Sequence, residues 1–302
     1  MSVDDAVRSI LDLGPGALIA KLDIESAYRI VPVHPADRLL LGMSWKGQIY
    51  IDTVLPFGLR SASLIFTAVA NALQWILETQ GVKHVMHYLD DYLVLGPPDS
   101  PECQRSLERT LDCCHRLGVP VARHKTEGPS TQLVFLGIEL NTRDGILRLP
   151  EAKLRRLQGE IKNWTGKRSC TKRGLLSLIG QLQHVCCVVQ PGRTFLRRLI
   201  DLSRTAKKLH HNIHLNEGFR SDLYWWACFL PRWNGVSMMK SAVGGPCCET
   251  ITSDASGSWG WGAYLSTGLW FQLEWPRSWA GYHITVKEML PIVLTTGMWD
   301  KQ

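Results

Sequence analysis

Three aspartates stand in two short apolar segments whose chemistry makes sense if they act together. Asp90 and Asp91 lie between two apolar arms, and Asp23 lies in the apolar run LIAKLDI at 18–24. Carboxylates that lie close together repel, and a carboxylate in an apolar strand needs a partner. On neighbouring strands these side chains would converge and hold two divalent cations about 4 Å apart, as in-line phosphoryl transfer requires. Taken alone, the Asp90-Asp91 pair also fits an ordinary turn.

Further motifs occur along the first half of the chain. In order they are KLDIESAY (21–28), LPFGLRSA (55–62), YLDD (88–91), a stretch around Lys125, and FLG (135–137). The series resembles the palm motifs of a retroelement reverse transcriptase. The wider sequence, including VDDA at 3–6 and WNG at 233–235, is most similar to DIRS-type tyrosine-recombinase retrotransposons.

The resemblance assigns roles to the charged residues. It implies that Asp23 and Asp90 bind two Mg²⁺ ions, or Mn²⁺ in their place, with Asp91 as a supporting carboxylate. It also implies that Lys125 protonates the pyrophosphate leaving group, although a solvated lysine is an equally good interpretation.

The resemblance also assigns the nucleotide and primer contacts. Tyr28 would lie under the nucleotide sugar and exclude a 2′-hydroxyl, with Phe57 and Gly58 beside it. The alternatives are a core aromatic for Tyr28 and a turn glycine for Gly58. Phe135, Leu136 and Gly137 would form the primer grip.

The positive charge of the chain is concentrated in one segment. Residues 151–210 hold 14 Lys and Arg against 3 Asp and Glu, a balance of +11, whereas the whole chain carries +7. A solvated surface would explain such a segment, but the imbalance favours a surface that faces phosphates. By resemblance it is the thumb of the polymerase. The candidate nucleic-acid-binding residues are Arg155, Arg156, Lys172, Arg173, Arg197 and Arg198.

The C-terminal part resembles the opening of a retroelement RNase H. Asp254 and Glu288 match its first two carboxylates, and GWGA stands at 260–263. The later acidic residues would lie beyond Gln302, since Asp300 follows Glu288 too closely. We therefore expect this unit to be truncated and to leave the RNA of hybrids uncut. By the same resemblance, most of the fingers lies upstream, so the chain alone should extend a primer poorly.

The elements that would position these residues alternate without a βαβ repeat. Strands are predicted at 18–24, 85–95 (a hairpin), 132–140 and 145–149, and helices at 61–79, 101–117, 151–164, 171–189, 195–209 and 216–230. Strands return after 249. The predicted fold is α+β: a palm of antiparallel sheet and packed helices (1–149), a basic helical thumb (150–245) and a truncated RNase H-like α/β unit (246–302).

Several function classes remain to be distinguished. The nine cysteines have no Cys-x-x-Cys spacing, which indicates reduced thiols in an intracellular protein. No signal peptide or membrane segment is predicted. The expected partners are an RNA or DNA template–primer duplex and deoxynucleoside triphosphates, and the oligomeric state stays open. The alternatives are a catalytically inactive nucleic-acid-binding protein derived from a retroelement and, less favoured, a nuclease subunit.

Overall fold

The computed structural model describes residues 2–238 and 250–299, and the chain divides into two compact units, 1–240 and 241–302. The predicted boundary at 245/246, the Cys247-Cys248 pair and Asp300 lie outside the described residues.

The first unit contains twelve described strands and seven described α-helices. The strands are β1 (Leu18–Asp23), β2 (Gly42–Trp45), β3 (Gln48–Ile51), β4 (Val85–Tyr88), β5 (Asp91–Gly96), β6 (Glu127–Ser130), β7 (Gln132–Phe135), β8 (Ile138–Asn141), β9 (Ile146–Arg148), β10 (Ser169–Thr171), β11 (Asn212–His214) and β12 (Val236–Ser237). The helices are α1 (Val3–Leu13), α2 (Ala62–Thr79), α3 (Glu102–Arg116), α4 (Glu151–Thr165), α5 (Lys172–Val185), α6 (Arg197–Arg204) and α7 (Glu217–Phe229).

A four-stranded antiparallel sheet with the order β4-β5-β1-β6 lies at the centre of this unit. Strand β5 is buried on both faces, which explains its unbroken apolar sequence. Tyr92 and Val94 pack with α2 and α3, whereas Leu93 and Leu95 pack into a second cluster with α1 and the helices after residue 150. The sheet therefore separates two hydrophobic cores.

A second antiparallel sheet, of order β12-β9-β8-β7, follows the first in sequence. The single strand predicted at 132–140 is wrong, because the chain turns back at Leu136-Gly137. Both turn residues have positive φ, 48° and 72°, the conformation of a two-residue hairpin turn whose twist suits the flanking strands. Glycine adopts this conformation without strain, and Leu136 does so less readily.

Two predicted helices are shorter than the sequence pattern suggested. The helix predicted at 171–189 ends at Val185, and the one predicted at 195–209 is reduced to Arg197–Arg204, preceded by a 3-10 segment at Gln190–Leu196. Between the two helices Gly192 allows the chain to pack closely, since a Cβ at this position would lie 2.2 Å from the Trp226 ring. Trp226 Nε1 also donates to the carbonyl of Phe195, at the start of the second predicted helix. Tertiary packing therefore overrides the helical periodicity in this segment.

The core beneath the second sheet crosses the predicted boundary between residues 149 and 150. Leu133 and Ile138 before it, and Leu157 and Leu178 after it, belong to the same buried cluster. The palm and thumb segments thus share one hydrophobic core, and their division stays a prediction.

The second unit consists of a meander and one helix. Its elements are β13 (Ile251–Ala255), β14 (Gly260–Leu265), β15 (Trp270–Glu274) and α8 (Ile284–Trp299). The strands pair antiparallel in chain order, and α8 packs on β13 and β14. Lys287 on α8 is buried, and its Nζ donates to the carbonyl of Gly257 at 2.5 Å.

Two further properties hold for the residues described. None of their helices combines the length and the apolarity that crossing a membrane requires. The cysteines among them are free thiols, and burial raises the pKa of Cys103 and Cys186 to about 11.

Candidate active site

Backbone pairing brings the three aspartates together at one end of the central sheet. Strands β1 and β5 are antiparallel neighbours, with Asp23 opposite Asp91 in register. The β4–β5 hairpin turns at Leu89-Asp90, and the amide of Ile24 donates to the carbonyl of Asp90 at 3.0 Å. The predicted neighbouring strands are therefore confirmed, with Asp90 in the turn. Leu89 has a φ of 53°, rare for a residue with a side chain and more frequent near functional sites.

The electrostatics of the three carboxylates are coupled. Partial burial raises the pKa of Asp91, and the negative charges of Asp90 and Asp23 raise it further, while Lys125 and Lys21 act in the opposite direction. The three carboxylates outnumber the two lysines beside them, and Lys21 also pairs with Glu127.

Lys125 reaches this site by a short backbone connection. The amide of Ala122 donates to the carbonyl of Asp23 at 2.9 Å, and a 3-10 turn follows at Arg123–Lys125. The Lys125 ammonium then donates to Asp23 Oδ1 at 3.0 Å, and this hydrogen bond raises the pKa of Lys125. Lys125 therefore lies in the site with its ammonium on Asp23, although its side chain is 55% exposed. Its role as the proton donor to pyrophosphate stays a prediction.

A cavity of about 420 Å³ opens beside these groups, and we call it the carboxylate cleft. Asp23, Asp91 and Lys125 line one part of it, and Leu136 and Gly137 line another. The side chain of Phe135 is 2% exposed and packs into the core. Phe135 therefore anchors the β7–β8 hairpin, while the two residues after it are available to a ligand in the cleft.

Tyr28 lies among other aromatic rings near the end of β1. Its ring contacts those of Phe57 and Phe66 edge to face, at centroid distances of 5.2 and 5.5 Å. Its hydroxyl lies 3.1 Å from the hydroxyl of Ser63. Phe57 is 69% exposed, so this small cluster presents an aromatic surface to solvent on one side.

Gly58 follows Phe57 with a φ of 87°, a conformation that favours glycine. A Cβ built there would meet nothing within 4 Å. The glycine is therefore required by its backbone conformation, and the space beside it is open to a ligand.

The donor chemistry of the three aspartates fits a divalent cation. Among the residues described, no three His, Cys, Asp or Glu side chains form a ready-made metal cage. Mg²⁺ in phosphoryl-transfer sites is usually held by one or two carboxylates together with substrate phosphates and water. The surplus of negative charge at Asp23, Asp90 and Asp91 suits such a shared site.

The raised pKa of Asp91 gives a prediction about stability. A group whose pKa is raised in the folded state stabilises the fold below its unfolded pKa, near 3.8, and loses that contribution as the pH rises through the folded value. Without divalent metal, Asp91→Asn should therefore melt at a higher temperature than the wild type at pH 7, and the difference should shrink towards pH 4. Differential scanning fluorimetry in EDTA measures it. A lower midpoint for the variant at pH 7 would contradict the charge repulsion.

The candidate basic residues differ in how freely they can contact phosphates. Arg155, Arg197 and Arg198 form ion pairs with Glu151, Asp201 and buried Asp222, and Lys172 donates to the carbonyl of Ala206. Arg156 lines a groove of about 470 Å³ between α4 and α5. Arg156 and Arg173 are the two candidates for which the described structure gives neither an ion pair nor a side-chain hydrogen bond. Phosphate binding by any of the six stays a prediction.

The two acidic residues of the second unit lie on elements that pack together. Asp254 is on β13 opposite Gly262, and Glu288 is on α8, which contacts β13. Both side chains are exposed. Their role in an RNase H site stays a prediction.

Some residues that support the site had not been singled out from the sequence. His87 is buried, stacks on Tyr92 and hydrogen bonds to Asn71 of α2, which fixes the β4–β5 hairpin. Lys21 donates to the carbonyl of Val134 at 3.0 Å. Lys21 stands inside the KLDIESAY motif, so its position next to Asp23 was the available signal. His87 carries no comparable signal.

Comparison with known proteins agrees with this geometry. Residues 3–140 match the family model described as reverse transcriptase (RNA-dependent DNA polymerase). This stretch is therefore similar in sequence to reverse transcriptase domains. The Pol polyprotein of transposon gypsy from Drosophila melanogaster is 30% identical over 142 residues, which is 47% of this chain and 13% of that polyprotein. The Gag-Pro-Pol polyprotein of Human T-cell leukemia virus 2 is 32% identical over 95 residues, 30% of this chain and 6% of that protein.

Solved structures agree on the fold. The foamy viral protease-reverse transcriptase "dRH" in complex with double-stranded DNA has a TM-score of 0.59 at 17% identity, covering 97% of this chain and 50% of that one. The same viral protein with an RNA/DNA hybrid has a TM-score of 0.58 over 92% of this chain and 36% of that one. The predicted α+β palm and thumb fold is therefore confirmed. The chain spans a small part of its curated relatives, and the DIRS-type subfamily stays a prediction.

Proposed function

We propose that this chain is the polymerase part of a retroelement reverse transcriptase, which transfers deoxynucleotides to a primer 3′-hydroxyl with two Mg²⁺ ions. The observation that carries the proposal is the convergence of Asp23, Asp90 and Asp91 at one end of the sheet, with Lys125 on Asp23. The match of residues 3–140 to the reverse transcriptase family supports it.

The charged residues of the site would have different roles in the reaction. Asp23 and Asp90 would hold the metal ions, and Asp91 would add negative charge beside them. When bound, the ions would lower the pKa of the primer 3′-hydroxyl and neutralise the triphosphate. The Lys125 ammonium, which donates a hydrogen bond to Asp23, would donate a proton to the departing pyrophosphate.

Other parts of the cleft would hold the substrates. The aromatic surface of Tyr28 and Phe57 would support the sugar and base of the nucleotide, because flat rings favour stacking. Leu136 and Gly137 would contact the primer end from the other part of the carboxylate cleft. The groove between α4 and α5 would hold the duplex by its phosphates.

Primer extension tests the proposed function. The measurement uses this chain and an extended enzyme, defined as the chain together with its natural flanking sequence, on an RNA template with a DNA primer. Product that depends on Mg²⁺ or Mn²⁺ and disappears in EDTA supports the polymerase. Tight duplex binding by both forms without any extension would support the inactive nucleic-acid-binding protein instead.

We predict that duplex binding depends on salt and little on sequence. If two or three lysines and arginines contact phosphates, the affinity should fall about 10- to 40-fold between 50 and 200 mM salt, because each contact releases a counterion. Filter binding with two unrelated duplex sequences measures it.

Arg156→Gln should reduce the slope of log affinity against log salt concentration by about one, which is the contribution of one phosphate contact. Arg155→Gln is the matched control, since Arg155 already pairs with Glu151 on the exposed side of α4. If the duplex affinity of the unmodified chain does not change with salt, the proposal that this segment is a phosphate-binding thumb is wrong.

A further inference from the structure

The tip of the β7–β8 hairpin receives two side chains from the helices that follow it. His184 Nε2 of α5 lies 2.9 Å from the carbonyl of Leu136, and Lys153 Nζ of α4 lies 3.2 Å from the carbonyl of Gly137. In a two-residue turn these carbonyls have no partner in the strand ladder. The helices therefore satisfy the two acceptors that the turn leaves open.

The hydrogen-bonding chemistry defines the state of the histidine. A carbonyl only accepts, so Nε2 must carry the proton that goes to Leu136. His184 Nδ1 is buried and has no partner among the described atoms. Lys153 Nζ and His184 Nε2 are 3.2 Å apart, and as two donors they do not satisfy each other. Both donors are thus directed at the carbonyls of the turn.

The two side chains lie close against the turn. A Cβ at Gly137 would lie 2.6 Å from Lys153 Nζ and 3.2 Å from His184 Nε2. Within β7, Lys21 donates to the carbonyl of Val134 at 3.0 Å, and Lys21 pairs with Glu127 at 2.9 Å. Lys21 is two residues from Asp23 on β1. The hairpin is therefore tied to the strand of the carboxylates at one point and to α4 and α5 at its tip.

We propose that His184 and Lys153 are positioning residues of the carboxylate cleft. They fix the Leu136-Gly137 tip, and so they fix where a primer end lies relative to Asp23 and Asp90. Both also line the groove between α4 and α5, so a strand in that groove lies beside the side chains that hold the tip. The effect on the primer rests on the proposed function, whereas the effect on the hairpin does not.

Hydrogen exchange tests the contact without reference to activity. In the full chain, His184→Leu should make the amides of 132–141 exchange about tenfold faster. The variant lacks the hydrogen bond to Leu136 that must break when the hairpin of the wild type opens. His184→Gln keeps a donor and should restore most of the protection. Gln183→Leu is the matched control, since Gln183 is the exposed neighbour on the same helix. Equal protection of this segment in wild type and His184→Leu would overturn the proposal.

Kinetics of the extended enzyme test the positioning itself. His184→Leu should slow single-turnover primer extension about tenfold, because a displaced primer end lowers the rate of the chemical step. The loss of rate should exceed any change in the Kd for primer–template, and His184→Gln should recover the rate. A weaker Kd with an unchanged rate would overturn the positioning role. If the unmodified enzyme extends no primer, the proposed function fails, and the exchange experiment still decides the contact.

Discussion

Asp90→Asn should remove primer extension by the extended enzyme, lowering the rate at least about 10³-fold in Mg²⁺. Asp90 would be a ligand of the divalent cations, a neutral amide binds such cations far more weakly than a carboxylate, and the positioning of the metal ions supplies most of the catalysis in such sites. The measurement is the single-turnover rate of incorporation of one deoxynucleotide. Duplex affinity should stay within about twofold, because Asp90 would hold metal rather than phosphate.

Folding must be excluded as the cause of that loss. Asp90 is partly exposed in a turn, so the variant should keep its melting temperature within a few degrees. Asp12→Asn is the matched control: Asp12 is exposed on α1 and does not line the carboxylate cleft, so the variant removes the same charge and should leave the rate unchanged. If Asp90→Asn extends the primer as fast as the wild type, the two-metal mechanism at this site is wrong.

The elements that the sequence predicted well have a local cause. The apolar arms around Asp90-Asp91 form the β4–β5 hairpin, and Asp23 ends the strand next to it, because both segments have the short apolar pattern of buried strands. Helices α2, α3 and α4 also lie within one or two residues of the prediction. In each case the sequence pattern and the final packing favour the same structure.

The elements that were predicted less well depend on contacts distant in sequence. The turn at Leu136-Gly137 interrupts a run that looks continuous, and two side chains from later helices satisfy its carbonyls. The first residues of the predicted helix 195–209 belong to a 3-10 segment, in which the carbonyl of Phe195 accepts from Trp226 Nε1, 31 residues further on. No local pattern contains that information, since the partner residues are separated by whole elements.

The same distinction applies to the site. The acidic residues were recognisable because carboxylates in apolar segments are unusual. The basic residues were not, because a count of charge does not reveal which arginines already have partners. Arg198 pairs with buried Asp222, so it stabilises the packing of α6 on α7, and Arg156 faces a groove instead. Only the tertiary structure separates these two roles.

Tyr28→Ala should reduce the preference of the extended enzyme for deoxynucleotides over ribonucleotides about 10²-fold. The ring would collide with a 2′-hydroxyl, and forcing an extra group into a packed site costs about 1–3 kcal/mol, so its removal should recover up to that amount for ribonucleotides. The measurement is kcat/KM for one deoxynucleotide and its ribonucleotide counterpart, in parallel. The change should appear mainly as a faster ribonucleotide reaction.

Two variants separate the ring from its supports. Tyr28→Phe removes only the hydroxyl that contacts Ser63 at 3.1 Å, and the ring keeps its edge contacts with Phe57 and Phe66. It should retain discrimination within about threefold, since the aromatic face is unchanged. Phe57→Ala should have an intermediate effect, because it leaves the Tyr28 ring less restrained on its exposed side. If Tyr28→Ala discriminates as well as the wild type, Tyr28 is an ordinary packing aromatic, and the ribonucleotide must be excluded elsewhere in the cleft.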